Sequence, residues 1–180
     1  NVDIFATIAD VFGATVEHRT HGRSLVPLLT GAATEVREWA LGGYFGGWVQ
    51  VVAGDRRYAR GPVGDNFPLS MWSNRWSTMP VHLPGFDVRL PSPDHRAFLD
   101  RVPGSDVPVI RQPFAPGDAL PYWVNRTSVD RHFLFDVGVD PDEQENRAGE
   151  ALEEEMADLL RAVLDEVGAP VEQLQRLALA

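Results

Sequence analysis

Between Glu150 and Val167, Leu152, Met156, Leu159, Leu160, Val163 and Val167 recur at a period that puts them on one face of an α-helix. Gly168 and Pro170 then end it. Its other face holds Glu153, Glu154, Asp158 and Asp165, read as solvated. A helix with one apolar stripe must bury that stripe against something else. The best partner in the sequence is strand-like. HFLFDV (132–137) reads as a buried strand, and the turn DPDE leads from it into the helix. Farther back, WALGGYF, WVQVV and GDRRYA alternate or run apolar around a tight AGDR turn, which predicts an antiparallel hairpin with a third strand. The expected fold class is therefore α+β: a small antiparallel sheet packed by a long C-terminal helix, with long irregular loops.

The N-terminal end reads as a separate element. Asp3 is placed to cap a helix whose Ile4, Phe5, Ile8, Val11 and Phe12 share a face and whose stop is Gly13. In HGRSLVPLLTG (21–31), Ser24 is expected to cap a single turn running to Leu29, with Pro27 inside the first turn and Gly31 as the stop. Residues 61 to 91 carry prolines, two tryptophans and little periodicity, and read as a long ordered loop. Ser92, Pro93 and Asp94 form a helix-start signature for a helix to about Val102. The proline-rich stretch beyond it reads as irregular. Two regions follow, 1–38 and 39–180.

Composition removes whole classes of chemistry. The chain has 180 residues, no cysteine, and 16 basic side chains that are all arginine. Thiolate metal sites, cysteine nucleophiles, Schiff-base lysines and a P-loop lysine are excluded. The net charge of −10 is local, because 12 of the 26 acids fall between Asp136 and Glu166 against Arg147 and Arg161. Without a basic patch, no nucleic-acid or membrane partner is expected. The opening NVDIFATIADVFG has no signal-peptide character and reads as a helix entered from upstream, which predicts a segment of a longer protein.

Several short motifs weaken when set against the chemistry they would need. His18 and His21 have helical metal-ligand spacing but no third ligand nearby. Gly22 to Leu25 has Val26 where a nucleophile elbow needs glycine. Asp140 to Glu145 has Glu145 where a calcium loop needs glycine, and reads as a turn. Leu41 to Gly47 lacks the strand-to-helix setting of a phosphate loop, and the sequon at Asn125 is of a kind common by chance. His82, His95 and His132 each read as structural. The segment Pro68 to Pro80 stands apart, since Trp72, Asn74, Arg75 and Trp76 combine flat apolar walls with a planar cation. These four are the substrate-side candidates, and the competing reading has the tryptophans anchoring a loop.

The order of segments resembles the sulfatases of the alkaline-phosphatase-like superfamily. NVDIFATIADVFG followed by HGRSLVPLLTG resembles that family's D-x-x-P-T-[IL]-x-x-x-x-G and D-G-x-S-L-x-P-L-L-x-G, and HFLFDVGVDPDEQENRAG resembles its closing x-L-Y-D-L-x-x-D-P-x-E-x-x-N-L-A. Ala6, His21, Phe135 and Arg147 depart from the pattern. The resemblance implies the C-terminal part of a sulfatase hydrolysing sulfate esters, with the catalytic N-terminal part of the same chain as its partner. It also implies calcium and formylglycine in that missing part, and no catalytic residue, metal ligand or cofactor in this one. A sulfated small molecule or sugar would be the parent's substrate, with specificity read from its organic group. Two alternatives stay open: the same segment of a phosphodiesterase or phosphonate hydrolase of that superfamily, and a stand-alone interaction module.

Overall fold

The computed structural model describes residues 2–74, 96–102, 104–118, 120, 124 and 131–180. It is an α+β fold whose chain divides into two compact units, residues 1–40 and 41–180.

In the first unit, helix α1 (Val2–Val11) stops at Gly13, whose positive φ lets the chain turn back while Ala14 N–H bonds to Ala9 C=O. Asp3 lies inside the first turn and does not cap it from outside. Its carboxylate accepts from Arg23 N–H and pairs with Arg37, tying the polar link to the helix. The SLVPLL turn forms as α2 (Val26–Leu29), with Leu25 at the cap position and no side-chain cap. Ser24 instead accepts from Val26 N–H through its hydroxyl and donates to Asp10. Gly22 is needed for contact: a Cβ there would lie 2.2 Å from Val2 C=O.

The second unit holds two sheets where the sequence predicts one. Strands β1 (Trp39–Gly43), β2 (Val49–Ala53), β3 (Arg56–Arg60) and β7 (Phe133–Asp136) form the first in spatial order β1-β2-β3-β7; strands β4 (Leu69–Ser73), β5 (Phe98–Arg101) and β6 (Pro108–Phe114) form the second in order β4-β6-β5. β1 begins at the unit boundary. Two helices close the chain, α3 (Ala151–Glu166) and α4 (Val171–Arg176).

Register explains the core. Val51 pairs with Tyr58 and Tyr58 with Leu134, so three residues with no exposed surface form one row across the first sheet. α3 packs over β2 and β3 and brings the buried Met156, Leu160, Val163 and Leu164 against that sheet. Leu177 and Leu179, both buried, extend this core beyond α4. Arg60 donates to Leu177 and Ala178 C=O, and Arg161 to Leu179 C=O, so two guanidiniums hold the terminal carbonyls.

The DPDEQEN turn finishes the open edge of β7. Asn146 accepts from Leu134 N–H and donates to His132 C=O, standing in for a neighbouring strand. Asp140 accepts from Glu145 N–H, and backbone hydrogen bonds from Glu145 and Gln144 hold its carboxyl below the usual range. The turn reading of this motif holds.

Three expectations are overturned by the second sheet. Residues 69–73, read as part of a long ordered loop, are strand β4, because Leu69 to Ser73 pair in register with Phe114 to Ile110. Residues 98–101 are strand, not the end of a helix, because Phe98 to Arg101 pair in register with Arg111 to Pro108. Cross-strand pairing with the neighbouring strand outweighs the helix reading there, and its start signal at 92–94 lies outside the described residues. The stretch holding Pro108 and Pro113 is also strand. Pro108 opens β6 opposite Arg101, and Pro113 lies past the end of β5, opposite Ser70 of β4, so both stand at places where a strand tolerates proline better than mid-ladder.

The helix-to-sheet seat sets the stability of this unit. Leu160→Ala should lower the unfolding free energy by about 2–5 kcal/mol, read from urea denaturation. A loss under about 1 kcal/mol would mean that α3 is not seated on the row.

Candidate functional site

The second sheet places Trp72 on β4 and Asn74 just beyond it, where Asn74 is exposed. Arg75 and Trp76 lie outside the described residues, as do His82, His95 and Asn125. Directly across from Trp72 on the central strand is Arg111, and across from Arg111 on the far strand is Phe98. Residues opposite one another in an antiparallel pair share a face. The guanidinium accordingly sits 5.0 Å from the Trp72 ring centre and 5.9 Å from that of Phe98, a cation held between two aromatic rings.

Arg111 is fully engaged elsewhere as well. It donates to Ser70 Oγ at 3.1 Å and Asp100 Oδ2 at 3.2 Å, and pairs with Glu172 of α4. Two carboxylates face one cation, so this guanidinium is committed to the protein. Asp100 is held below the usual carboxylate range first by the Arg101 N–H and then by Arg111. What the face offers a ligand is a rigid aromatic surface: the half-buried Trp72 and the more exposed Phe98. Trp72 thus has an anchoring contact, and Arg111 is the cation the sequence reading missed. The alternation in PVIRQPF was the available signal, with Ile110, Gln112 and Phe114 buried on one side and Arg111 on the other. The prolines obscured it.

A second polar cluster sits under α3. Glu153, read as solvated, is drawn inward: Oε1 accepts from His132 Nδ1 at 2.5 Å and from Tyr58 O–H at 2.9 Å, and Oε2 from Gly149 N–H at 2.6 Å. Arg60 donates to the same Tyr58 oxygen at 2.9 Å. A carboxylate, an imidazole and a phenol within hydrogen-bond reach invite a catalytic reading. Burial argues otherwise. Tyr58 has no exposed surface and its pKa is pushed up to about 12, mainly by that burial. The phenol stays protonated and is sealed from substrate, so the cluster joins β3, β7 and α3.

A third polar feature is Arg176 of α4, 1% exposed. Its Nη1 donates to Gly47 C=O at 2.8 Å and Asn66 Oδ1 at 3.1 Å, and its Nε to Gln173 Oε1 at 2.7 Å. Nothing in VEQLQR marks this arginine as buried before the fold is known.

Formylglycine cannot arise from a cysteine in this chain, which has none. Among the described residues, no three histidine, aspartate or glutamate side chains are grouped to hold a metal ion. No described helix is long and apolar enough to cross a membrane.

The Glu153 clamp makes a pH prediction. Burial alone would raise the carboxyl's pKa, but hydrogen bonds from His132, Gly149 N–H and Tyr58 outweigh it and hold the value below 4.5. A depressed carboxylate stabilises the fold above its unfolded pKa and loses that contribution as pH falls through the folded one. Urea titrations should therefore show stability dropping below pH 4.5, with a shallower acid limb in Glu153→Gln. An identical limb in the variant would remove the clamp from the account.

No protein-family model and no curated protein matches the chain. Among solved structures it is similar to a Bacteroides thetaiotaomicron sulfatase from work on the metabolism of multiple glycosaminoglycans, with a TM-score of 0.48 and 17% identity. The match covers 89% of this chain and 24% of that one, so the chain spans about a quarter of that protein's length.

Proposed function

We propose that this chain is the C-terminal part of a sulfatase-type ester hydrolase, shaping the substrate pocket while the nucleophile and metal reside in an N-terminal part of the same protein. The carrying observation is the ordered set of family-like segments: NVDIFATIADVFG, then HGRSLVPLLTG, then HFLFDVGVDPDEQENRAG running into the long helix. The first two coincide with a surface that an independent unit would not keep in water. Ile4, Phe5, Ile8 and Val11 of α1 and Phe12 just beyond it are between 49% and 80% exposed, and Leu28 and Leu29 of α2 are exposed with them. A contiguous apolar surface of this kind marks an interaction site. On this reading the N-terminal catalytic part covers it.

Specificity would then come from walls that touch the organic group of a sulfated small molecule or sugar. The Trp72 and Phe98 face is the described surface best suited to that, because ring planes contact sugars and aromatics without needing a free charge. The alternative of a phosphodiesterase or phosphonate hydrolase shares this architecture and differs in the upstream nucleophile.

The test uses the intact parent enzyme and this chain side by side. Ile8→Asp with Phe12→Asp should leave the isolated chain's stability within about 0.5 kcal/mol, since both side chains already face water. In the parent, the same pair should abolish sulfatase activity and lower the melting temperature. Full activity in the doubly substituted parent contradicts the reading. Trp72→Ala in the parent should change the ratio of kcat/KM between two sulfate esters that differ only in the organic group. An unchanged ratio removes Trp72 from the pocket.

A further inference from the structure

The second unit contains a groove of about 510 Å³ between β1 and the junction of α3 with α4. Leu41, Tyr44, Phe45, Leu164, Val167 and Pro170 give it apolar sides, while Gln173 and Arg176 supply side-chain polar groups. It is separate from the Trp72 face and from the Glu153 cluster.

Arg176 is the feature that sets this groove apart. Arg37, Arg57, Arg111 and Arg147, each more exposed, all pair with at least one carboxylate. Arg176, with 1% exposure, has only neutral oxygens as side-chain partners among the described residues: a backbone carbonyl and two side-chain amides. Its Nη2 is buried and has no hydrogen-bond partner. Burying a cation without a counter-ion is costly, and burial pulls the pKa of Arg176 down to about 10.

The fork geometry says what is missing. Nε and Nη2 point along the same edge of the planar guanidinium, the edge that takes a carboxylate through two parallel hydrogen bonds. Here the single amide oxygen of Gln173 satisfies Nε and leaves Nη2 alone. Gln173 is part-exposed and lines the groove. Gln173 is thus the groove-lining side chain that holds the fork edge.

We infer that this groove binds a small carboxylate with an apolar body, whose two oxygens displace the Gln173 amide and meet Nε and Nη2 of Arg176 while its apolar part lies between β1 and the α3–α4 junction. The chemistry selects the ligand class on both counts. The apolar sides reject a highly hydrated polyanion, and the half-satisfied fork rewards a planar, bidentate anion over a neutral group of the same shape.

Gln173→Glu provides the decisive variant. It brings an internal carboxylate to the same edge, so it should stabilise the fold and occupy the ligand's place at once. With 4-phenylbutyrate and its neutral counterpart 4-phenylbutanol as probes in titration calorimetry, the natural chain should bind the acid at least about tenfold more tightly. Gln173→Glu should raise the melting temperature and weaken acid binding by at least about tenfold. Val167→Glu, which sets a charge in the groove wall without touching Arg176, should abolish binding of both probes while the circular dichroism spectrum stays native. The proposal is overturned by equal affinity for acid and alcohol, by no binding of the acid at about 10 mM, or by undiminished acid binding in Gln173→Glu. Arg176→Met is the less useful variant, because its guanidinium also holds Gly47 and Asn66 and its loss can unfold the chain.

Discussion

The row Val51, Tyr58 and Leu134 under Leu160 and Met156 is the contact on which the larger unit depends. It fixes the register of three strands and the seat of α3 together, because a one-residue slip in any strand would turn its buried side chain toward solvent. Tyr58 makes the row unusual. A phenol at the centre of an apolar core must have its hydroxyl paired, and Glu153 and Arg60 supply both an acceptor and a donor. From that requirement follow the inward turn of Glu153, the placement of His132 and the clasp of Arg60 on the terminal carbonyls. The acidic helix is thus one residue less solvated than its pattern implies.

Arginine carries nearly every polar joint in this lysine-free chain. Arg57 joins β3 to Glu143 of the turn, Arg111 joins the three strands of the second sheet to α4, and Arg176 joins α4 to the segments around Gly47 and Asn66. The planar, multi-donor guanidinium suits this work, since one side chain can serve several acceptors in fixed directions. The same rigidity explains why Arg176 ends with one donor unserved. Its Nη1 is committed to Gly47 and Asn66 and its Nε to the single amide oxygen of Gln173, which leaves Nη2 without a partner among the described residues.

Elements with strong local periodicity were legible in the sequence. The long helix, the hairpin with its third strand, the HFLFDV strand and the DPDE turn all follow from patterns of apolar residues and turn formers, and their partners are near in sequence or strongly patterned. The second sheet was not legible. Its strands join residues near 70, 100 and 111, and two prolines and a false helix start hide the alternation in β5 and β6. At the candidate site, Trp72 and Asn74 could be named from residue chemistry, but Arg111 and Phe98 required the register that puts them beside Trp72. Arg176 required the whole fold, because burial of a lone arginine leaves no trace in the residues around it.

The apolar face of α1 connects fold to function. Phe5 and Ile8 of α1, and Phe12 just past its end, are exposed, and Ala9 is the one buried residue of that helix. That arrangement costs solubility unless further polypeptide lies over it. Hydroxyl-radical footprinting of the natural protein, compared with this isolated chain, reads the point directly. The account predicts that Phe5, Ile8 and Phe12 are labelled in the isolated chain and protected in the natural protein. Equal labelling in both would show that nothing covers the face, and would contradict the proposal that this chain is part of a larger hydrolase.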